Sequence, residues 1–232
     1  MKKLALLLLV ASSALAQDSV DYRFDEVKRK VTVTSAQQER AVNKGQHAQS
    51  GDKVTTGWFS YALIAAERYR AKFEIFSSTD VQLASNTPGV ILSVERGRLH
   101  AIFDKITGTE PRMVKTPGAL LAVRGTQYTV NVGADGNTTL DVFEGTVEVN
   151  SPLQKEPFFV RAGQESTFSR REPPRAMPMP KGRTPDGRTQ REPGQGQQRD
   201  GRPQDGGHRG AGGTGGTAPG HGGGNPPPPK PE

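Results

Sequence analysis

Cysteine is absent from all 232 residues, which excludes a disulfide scaffold, a thiol nucleophile and any zinc or iron–sulfur centre built on thiolates. Apolar residues are scarce at 32%, and aromatic ones scarcer at 6% with a single tryptophan. A domain packed along the whole length would carry roughly 45–50% apolar residues. No apolar run approaches the ~20 residues that a membrane-spanning helix needs. The four histidines, His47, His100, His208 and His221, are far apart and never four residues from one another, so they do not read as a zinc site. No glycine-rich phosphate loop precedes a helical stretch and no Gly-x-Ser-x-Gly elbow is present, so the chain is expected to use no cofactor and no nucleophilic serine.

The apolar shortage is uneven. Residues 172–232 hold 16 of the 28 glycines and 13 of the 18 prolines, but only five apolar side chains. Such a segment cannot bury enough surface to offset chain entropy, and it is predicted to be a disordered tail, extended as polyproline at Pro226 to Pro229. Its Gly-Arg steps (Gly182-Arg183, Gly187-Arg188, Gly201-Arg202) invite a nucleic-acid reading. Against it stand nine basic and six acidic residues, a net of +3, and no aromatic residue to stack on a base. No nucleic-acid partner is therefore expected. At the other end, Met1-Lys2-Lys3 is basic, Leu4 to Val10 is apolar, and Ala14-Leu15-Ala16 supplies small residues. These are the three parts of a secretory signal peptide, residues 1–16, with cleavage after Ala16. No cysteine follows to take a lipid. The expectation is an exported chain, periplasmic or at the cell surface, with no transmembrane anchor after processing. Of the +7 net charge, +2 sits in residues 1–16 and +3 in 172–232, leaving +2 for the body. The high pI does not describe one basic face.

The body, residues 20–170, shows period-two patterning broken by turn signals, which predicts an all-β domain of short strands, either a sandwich or a twisted, solenoid-like stack. Val27 to Val33 reads as a first strand. Lys53 to Thr56, Phe73 to Phe76, Val81 to Leu83, Val90 to Val94, Leu99 to Phe103, Leu120 to Val132, Thr138 to Val149 and Phe158 to Thr167 follow. Trp58 to Arg70 is the ambiguous stretch: Ala62, Leu63, Ala65 and Ala66 favour helix by propensity, while the β setting favours strand, the reading adopted. An internal repeat is visible. Leu92-Ser-Val94-Glu-Arg-Gly97-Arg-Leu99-His-Ala101 matches Leu140-Asp-Val142-Phe-Glu-Gly145-Thr-Val147-Glu-Val149. Its glycine interrupts the alternation and should mark a bend where the chain passes between sheets. Tyr128, Val130 and Val132 share a parity with Leu140 and Val142, so all five face one side only if the loop near Asp135-Gly136 has an odd number of residues.

Thr116-Pro117-Gly-Ala119-Leu-Leu-Ala122-Val123-Arg124-Gly125-Thr126-Gln-Tyr128-Thr-Val130, with Thr139-Leu-Asp-Val142-Phe-Glu144-Gly145-Thr-Val147-Glu-Val149, resembles the signature of the FecR-domain family. Ser50-Gly51-Asp52-Lys-Val54-Thr-Thr56-Gly57 resembles the family's Gly-Asp…Thr-Gly element, and Val160-Arg-Ala162-Gly163-Gln164 its closing turn. The resemblance spans about residues 45–168, with Tyr128 in place of the commoner phenylalanine. It implies an extracytoplasmic all-β domain. Family members in iron-uptake signalling relay the state of an outer-membrane transporter to a cytoplasmic sigma factor. This sequence departs from that architecture: no cytoplasmic segment with a spanning helix is recognisable, and low complexity follows Phe168 where sensors carry a further lobe.

The family-motif positions Gly51, Asp52, Thr56, Gly57, Arg124, Gly125, Thr126, Tyr128, Glu144 and Gly145 are the structural or interaction candidates. Arg124 shares the parity of Tyr128 and is expected to point inward against Glu144. Gly125 and Thr126 read as bend residues, and Asp52 as a turn residue rather than a metal ligand. Asp141, Glu144 and Glu148 read as strand-surface charge, though acidic pairs of this kind leave a glycan-cleaving enzyme as an alternative. Trp58, Phe59 and Tyr61 are expected in the core; exposed, they would be the first choice for a protein or glycan contact. The function expected is a non-catalytic exported module that binds an envelope protein or cell-wall polymer. Binding of an anionic polymer by the basic tail is a further alternative.

Overall fold

Period-two alternation governs the observed structure, a computed structural model that describes residues 20–84, 88–105 and 112–186. The strands are β1 (Asp21–Lys28), β2 (Val31–Ser35), β3 (Gln38–Ala41), β4 (His47–Gln49), β5 (Lys53–Thr56), β6 (Tyr61–Ala66), β7 (Ala71–Ile75), β8 (Asp80–Leu83) and β9 (Val90–Phe103). After them come β10 (Met113–Lys115), β11 (Leu120–Val123), β12 (Gln127–Val132), β13 (Thr138–Glu144), β14 (Thr146–Asn150), β15 (Phe158–Arg161), β16 (Gln164–Phe168) and β17 (Arg175–Pro178). A 3-10 turn, Glu67–Tyr69, follows β6.

These strands form two sheets. Sheet A runs β4-β1-β6-β7-β9-β12-β13-β16-β17, antiparallel throughout. Sheet B runs β3-β2-β5-β8-β9-β10-β11-β14-β15 and contains one parallel pair, β9 with β10. Strand β9 belongs to both. In β7, Ala71, Phe73 and Ile75 are buried while Lys72 is exposed. Such inward side chains meet residues of the facing sheet, Val54, Leu83, Leu92, Leu121 and Val147 among them, in one continuous core. The expected all-β domain of strand–bend–strand units is what is found.

The chain turns corners between the sheets at glycines. Up to Arg96, β9 pairs with β8 in sheet B, and from Gly97 onward it pairs with β12 and β7 in sheet A. Gly97 has φ +94, and a Cβ there would lie 2.3 Å from Thr79 Oγ1 and 2.6 Å from Thr79 Cα. Gly145, its counterpart in the repeat, has φ +79 and would place a Cβ 2.8 Å from the Gly125 carbonyl oxygen. Both positions need a left-handed backbone and tolerate no side chain. The expected odd loop is also present. Val132 pairs with Thr138, leaving five residues between them, and Tyr128, Val130, Val132, Leu140 and Val142 are all buried.

Of three local expectations, two change. Val27 to Val33 is not one strand: Arg29 takes φ +62 and the chain folds from β1 in sheet A to β2 in sheet B. The strand reading of Trp58 to Arg70 holds for β6, where pairing to β1 and β7 overrides helix propensity, and gives way to the 3-10 turn after it. The domain does not stop at residue 170. Residues 172–186, assigned to the tail by composition, include β17, which adds to the β16 edge, and a segment that crosses the outer face of sheet A. Main-chain pairing and one arginine hold this stretch, neither of which apolar content reports. The proposed signal peptide, His208, His221 and residues 187–232 lie outside the described residues. Among the described residues no helix is long and apolar enough to cross a membrane.

Candidate interaction surface

The motif glycines and their neighbours build corners. Gly51 takes φ +91. Beside it the buried Asp52 accepts hydrogen bonds from Ser35 Oγ at 2.6 Å and from the Gln49 amide at 2.9 Å, as a turn residue does. Thr56, buried, donates to the Phe76 carbonyl at 2.5 Å and accepts from the Thr79 amide at 3.0 Å. Gly57 donates to the Lys30 carbonyl at 2.9 Å. On the other half of the domain, Gly125 has φ +62 and a Cβ there would meet Lys105 Cγ at 2.5 Å. Thr126 is buried and its carbonyl accepts from Phe103 N–H at 2.9 Å. Tyr128 is fully buried and stacks on Phe103 with centroids 6.3 Å apart. Burial pushes its phenol well above its ordinary range, and the hydroxyl has no hydrogen-bond partner among the described residues.

Arg124 departs from expectation. It is exposed, not inward, because the chain bends at Arg124 and Gly125 between β11 and β12 and the parity count across that bend fails. Glu144 is instead paired with Lys105, at 2.9 Å between two exposed side chains. The inward arginine is Arg112. It is 3% exposed, lies 5.4 Å over the Phe103 ring, and donates to the Asp104 and Tyr69 carbonyls at 3.1 and 3.3 Å. Desolvation, the largest influence on it, lowers its pKa. In sequence it is one charge ahead of Met113-Val114, and nothing in that pattern marks it as buried.

Trp58 and Phe59 are not core residues. They are 79% and 65% exposed and stack in parallel with centroids 5.2 Å apart. The turn Gly57-Trp58-Phe59-Ser60 that carries them is closed by Ser60 N–H on the Gly57 carbonyl at 3.2 Å. Phe59 sits at φ +54, a position of such turns that normally selects glycine. Arg29, itself at φ +62 on the adjoining β1–β2 turn, lays its guanidinium 5.5 Å from the centroid of the Phe59 ring. Lys28 stands 5.0 Å from the Tyr61 ring centroid, and Tyr61, half-buried, donates to Glu74 at 2.8 Å. The result is a projecting aromatic pair rimmed by Lys28, Arg29 and Lys30. Sequence reasoning named these aromatics but placed them in the core; the signal it passed over was Gly57 directly ahead of them.

The carboxylates do not converge on an open cleft. Asp141 faces out of sheet A under Arg183, Glu144 meets Lys105, and Glu148 accepts from Asn150 at 3.0 Å. A shallow cleft of about 500 Å³ is lined by the Thr116 to Leu120 turn and residues 150–152 and 154–156. Another, of about 280 Å³, holds Asp21 and His47, paired at 2.6 Å, beside Arg23 and Glu67. Among the described residues no group of three or more His, Asp or Glu could hold a metal ion.

Residues 70–148 match the family described as FecR protein. Two crystal structures of a "putative anti-sigma factor" from Parabacteroides distasonis align with 15% identity and a TM-score of 0.45, covering 54% of this chain and 59% of theirs. The chain thus spans about three fifths of the length of those structures. No curated protein matches in sequence.

Proposed function

We propose that this chain, whose residues 70–148 are a FecR domain, is a non-catalytic, exported cell-envelope module that holds an envelope protein or a cell-wall polymer at its Trp58–Phe59 tip. The observation that carries this reading is the tip itself. Two large aromatic side chains stand in solvent on a turn whose backbone disfavours one of them. A bulky residue at positive φ costs about 1–2 kcal/mol, and such strain at a surface points to function rather than to stability. Stacked rings offer a flat face for a sugar ring or an apolar side chain, and Arg29 and Lys30 complement carboxylate or phosphate beside it.

The Trp58→Ala/Phe59→Ala double variant tests this. Co-sedimentation with isolated cell-wall polymer and crosslinking to envelope proteins are measured for wild type and variant, with circular dichroism as the folding control. Loss of whichever interaction the wild type shows, with the fold intact, is expected. Undiminished retention by the folded variant would sink the reading. Phe59→Gly supplies the complementary result, a gain of about 1 kcal/mol in stability as the strain is relieved, with capture weakened.

A further inference from the structure

The outer face of sheet A should be solvated, yet a row of polar side chains there is buried. Cross-strand partners place Glu74, His100, Thr129, Asp141 and Glu165 side by side on β7, β9, β12, β13 and β16. His100 and Thr129 are 2% exposed, Asp141 6% and Glu165 9%. What covers them is the chain's own segment after β17. Arg183 donates to Glu165 Oε2 at 2.7 Å and stands 3.5 Å from Asp141 Oδ2. Thr129 donates to the Pro185 carbonyl at 2.9 Å, and Arg98 to the Asp186 carbonyl. Ahead of this, β17 pairs antiparallel with β16 through four residues that are all exposed.

The cover fits imperfectly. Among the described residues, His100 Nε2, Asp141 Oδ1 and Ser166 Oγ are buried without a hydrogen-bond partner, an arrangement that costs free energy at each atom. The His100 ring is fixed by its Nδ1, 2.5 Å from Glu74. Two carboxylates sharing one guanidinium, next to a sheet edge completed by an added strand, are the parts of a peptide site that reads main chain along the edge and one arginine beside it. The segment is attached through Pro173-Pro174 and contributes no large buried side chain, so it can be exchanged. Its Gly182-Arg183-Thr184 recurs five residues later as Gly187-Arg188-Thr189.

We infer that the β16 edge and the Asp141–Glu165 niche form a binding site for an extended, arginine-bearing polypeptide segment, and that residues 175–186 are its built-in occupant, displaced when a competing segment binds. This site is separate from the aromatic tip and independent of the function proposed for it.

The probe is a fluorescein-labelled peptide with the sequence of residues 172–186, titrated against the full chain by anisotropy. Wild type, with its niche filled, should bind weakly. Arg183→Ala should bind at least tenfold more tightly, and adding Glu165→Gln should return affinity to the wild-type level. A peptide carrying alanine at its Arg183 position should not bind. Amide exchange of β16 checks that Arg183→Ala loosens the strap formed by residues 175–186, and Arg183→Lys, which keeps the charge but not the fork, should fall between the two. Equal peptide affinity for wild type and Arg183→Ala would overturn the inference, as would a strap that stays closed in Arg183→Ala or binding indifferent to Glu165. Self-association of Arg183→Ala that the peptide reverses would support it, with a second copy as the source of the competing segment.

Discussion

Gly97→Ala should unfold this protein more readily than any other single methyl added at a corner, and the reason can be worked from two distances. The new Cβ would stand 2.3 Å from Thr79 Oγ1 and 2.6 Å from Thr79 Cα. The second contact is with backbone, so trimming Thr79 to alanine gives no rescue. The Thr79 hydroxyl also accepts from the Arg98 amide at 2.9 Å, a bond that any retreat of Thr79 breaks. Overpacking costs about 1–3 kcal/mol, and an L side chain at φ +94 adds about 1–2 kcal/mol, for about 3–4 kcal/mol together. In a domain of this size that lowers Tm by about 10 °C. Gly163→Ala is the control. It has φ +81 but nothing within 4 Å of the added methyl, so it should lose about 1 kcal/mol and ~3 °C. Both are read by far-ultraviolet circular dichroism in urea and heat. Equal losses in the two variants would refute the claim that close packing at the sheet-to-sheet corner, beyond its backbone conformation, selects Gly97.

Arg112→Ala should cost about 2–4 kcal/mol, because it strands the Asp104 and Tyr69 carbonyls and opens space over Phe103; Arg124→Ala, at an exposed bend, should cost under about 0.5–1 kcal/mol by urea titration. Tyr128→Phe removes a buried hydroxyl that has no partner among the described residues and should be neutral or stabilising by up to about 1 kcal/mol in the same assay. Burial, opposed by Arg183, pushes Asp141 up from 3.8 to about 6. A raised folded-state value means its contribution is full below about pH 3.8 and is lost as pH rises through about 6, so the wild-type urea midpoint should fall relative to that of Asp141→Asn across this window. Glu74, lowered chiefly by its hydrogen bond to His100, acts in the opposite sense below its ordinary value of 4.5, so the comparison is read above pH 4.5, where only Asp141 changes the slope.

What was legible in the sequence was what two-residue periodicity and glycine can encode. The alternation of Phe73 and Ile75 with Lys72, the kinks at Gly97 and Gly145, and the odd loop before Thr138 are local consequences of local residues. What was not legible depends on contacts far along the chain. Parity counting carried Arg124 inward because it cannot see that a bend resets the count. Arg112 is buried by Phe103 and by carbonyls on two other segments, none of them near it in a pattern. Trp58 and Phe59 looked like core because apolar residues usually are, and their turn geometry shows only in three dimensions. Residues 172–186 were given to the tail because Pro, Gly and Arg lower apolar content, although main-chain pairing with β16 and the acidic niche on sheet A need no apolar side chain.

Because Trp58 is the chain's single tryptophan, the tip can be watched directly. Incorporation of 5-fluorotryptophan gives one fluorine resonance, recorded as isolated cell-wall polymer or solubilised envelope protein is added to the protein. A shift or broadening of that resonance at the concentrations where the protein is captured is the predicted result. Capture that leaves the resonance unmoved would contradict the account, since the partner would then be held by some other surface.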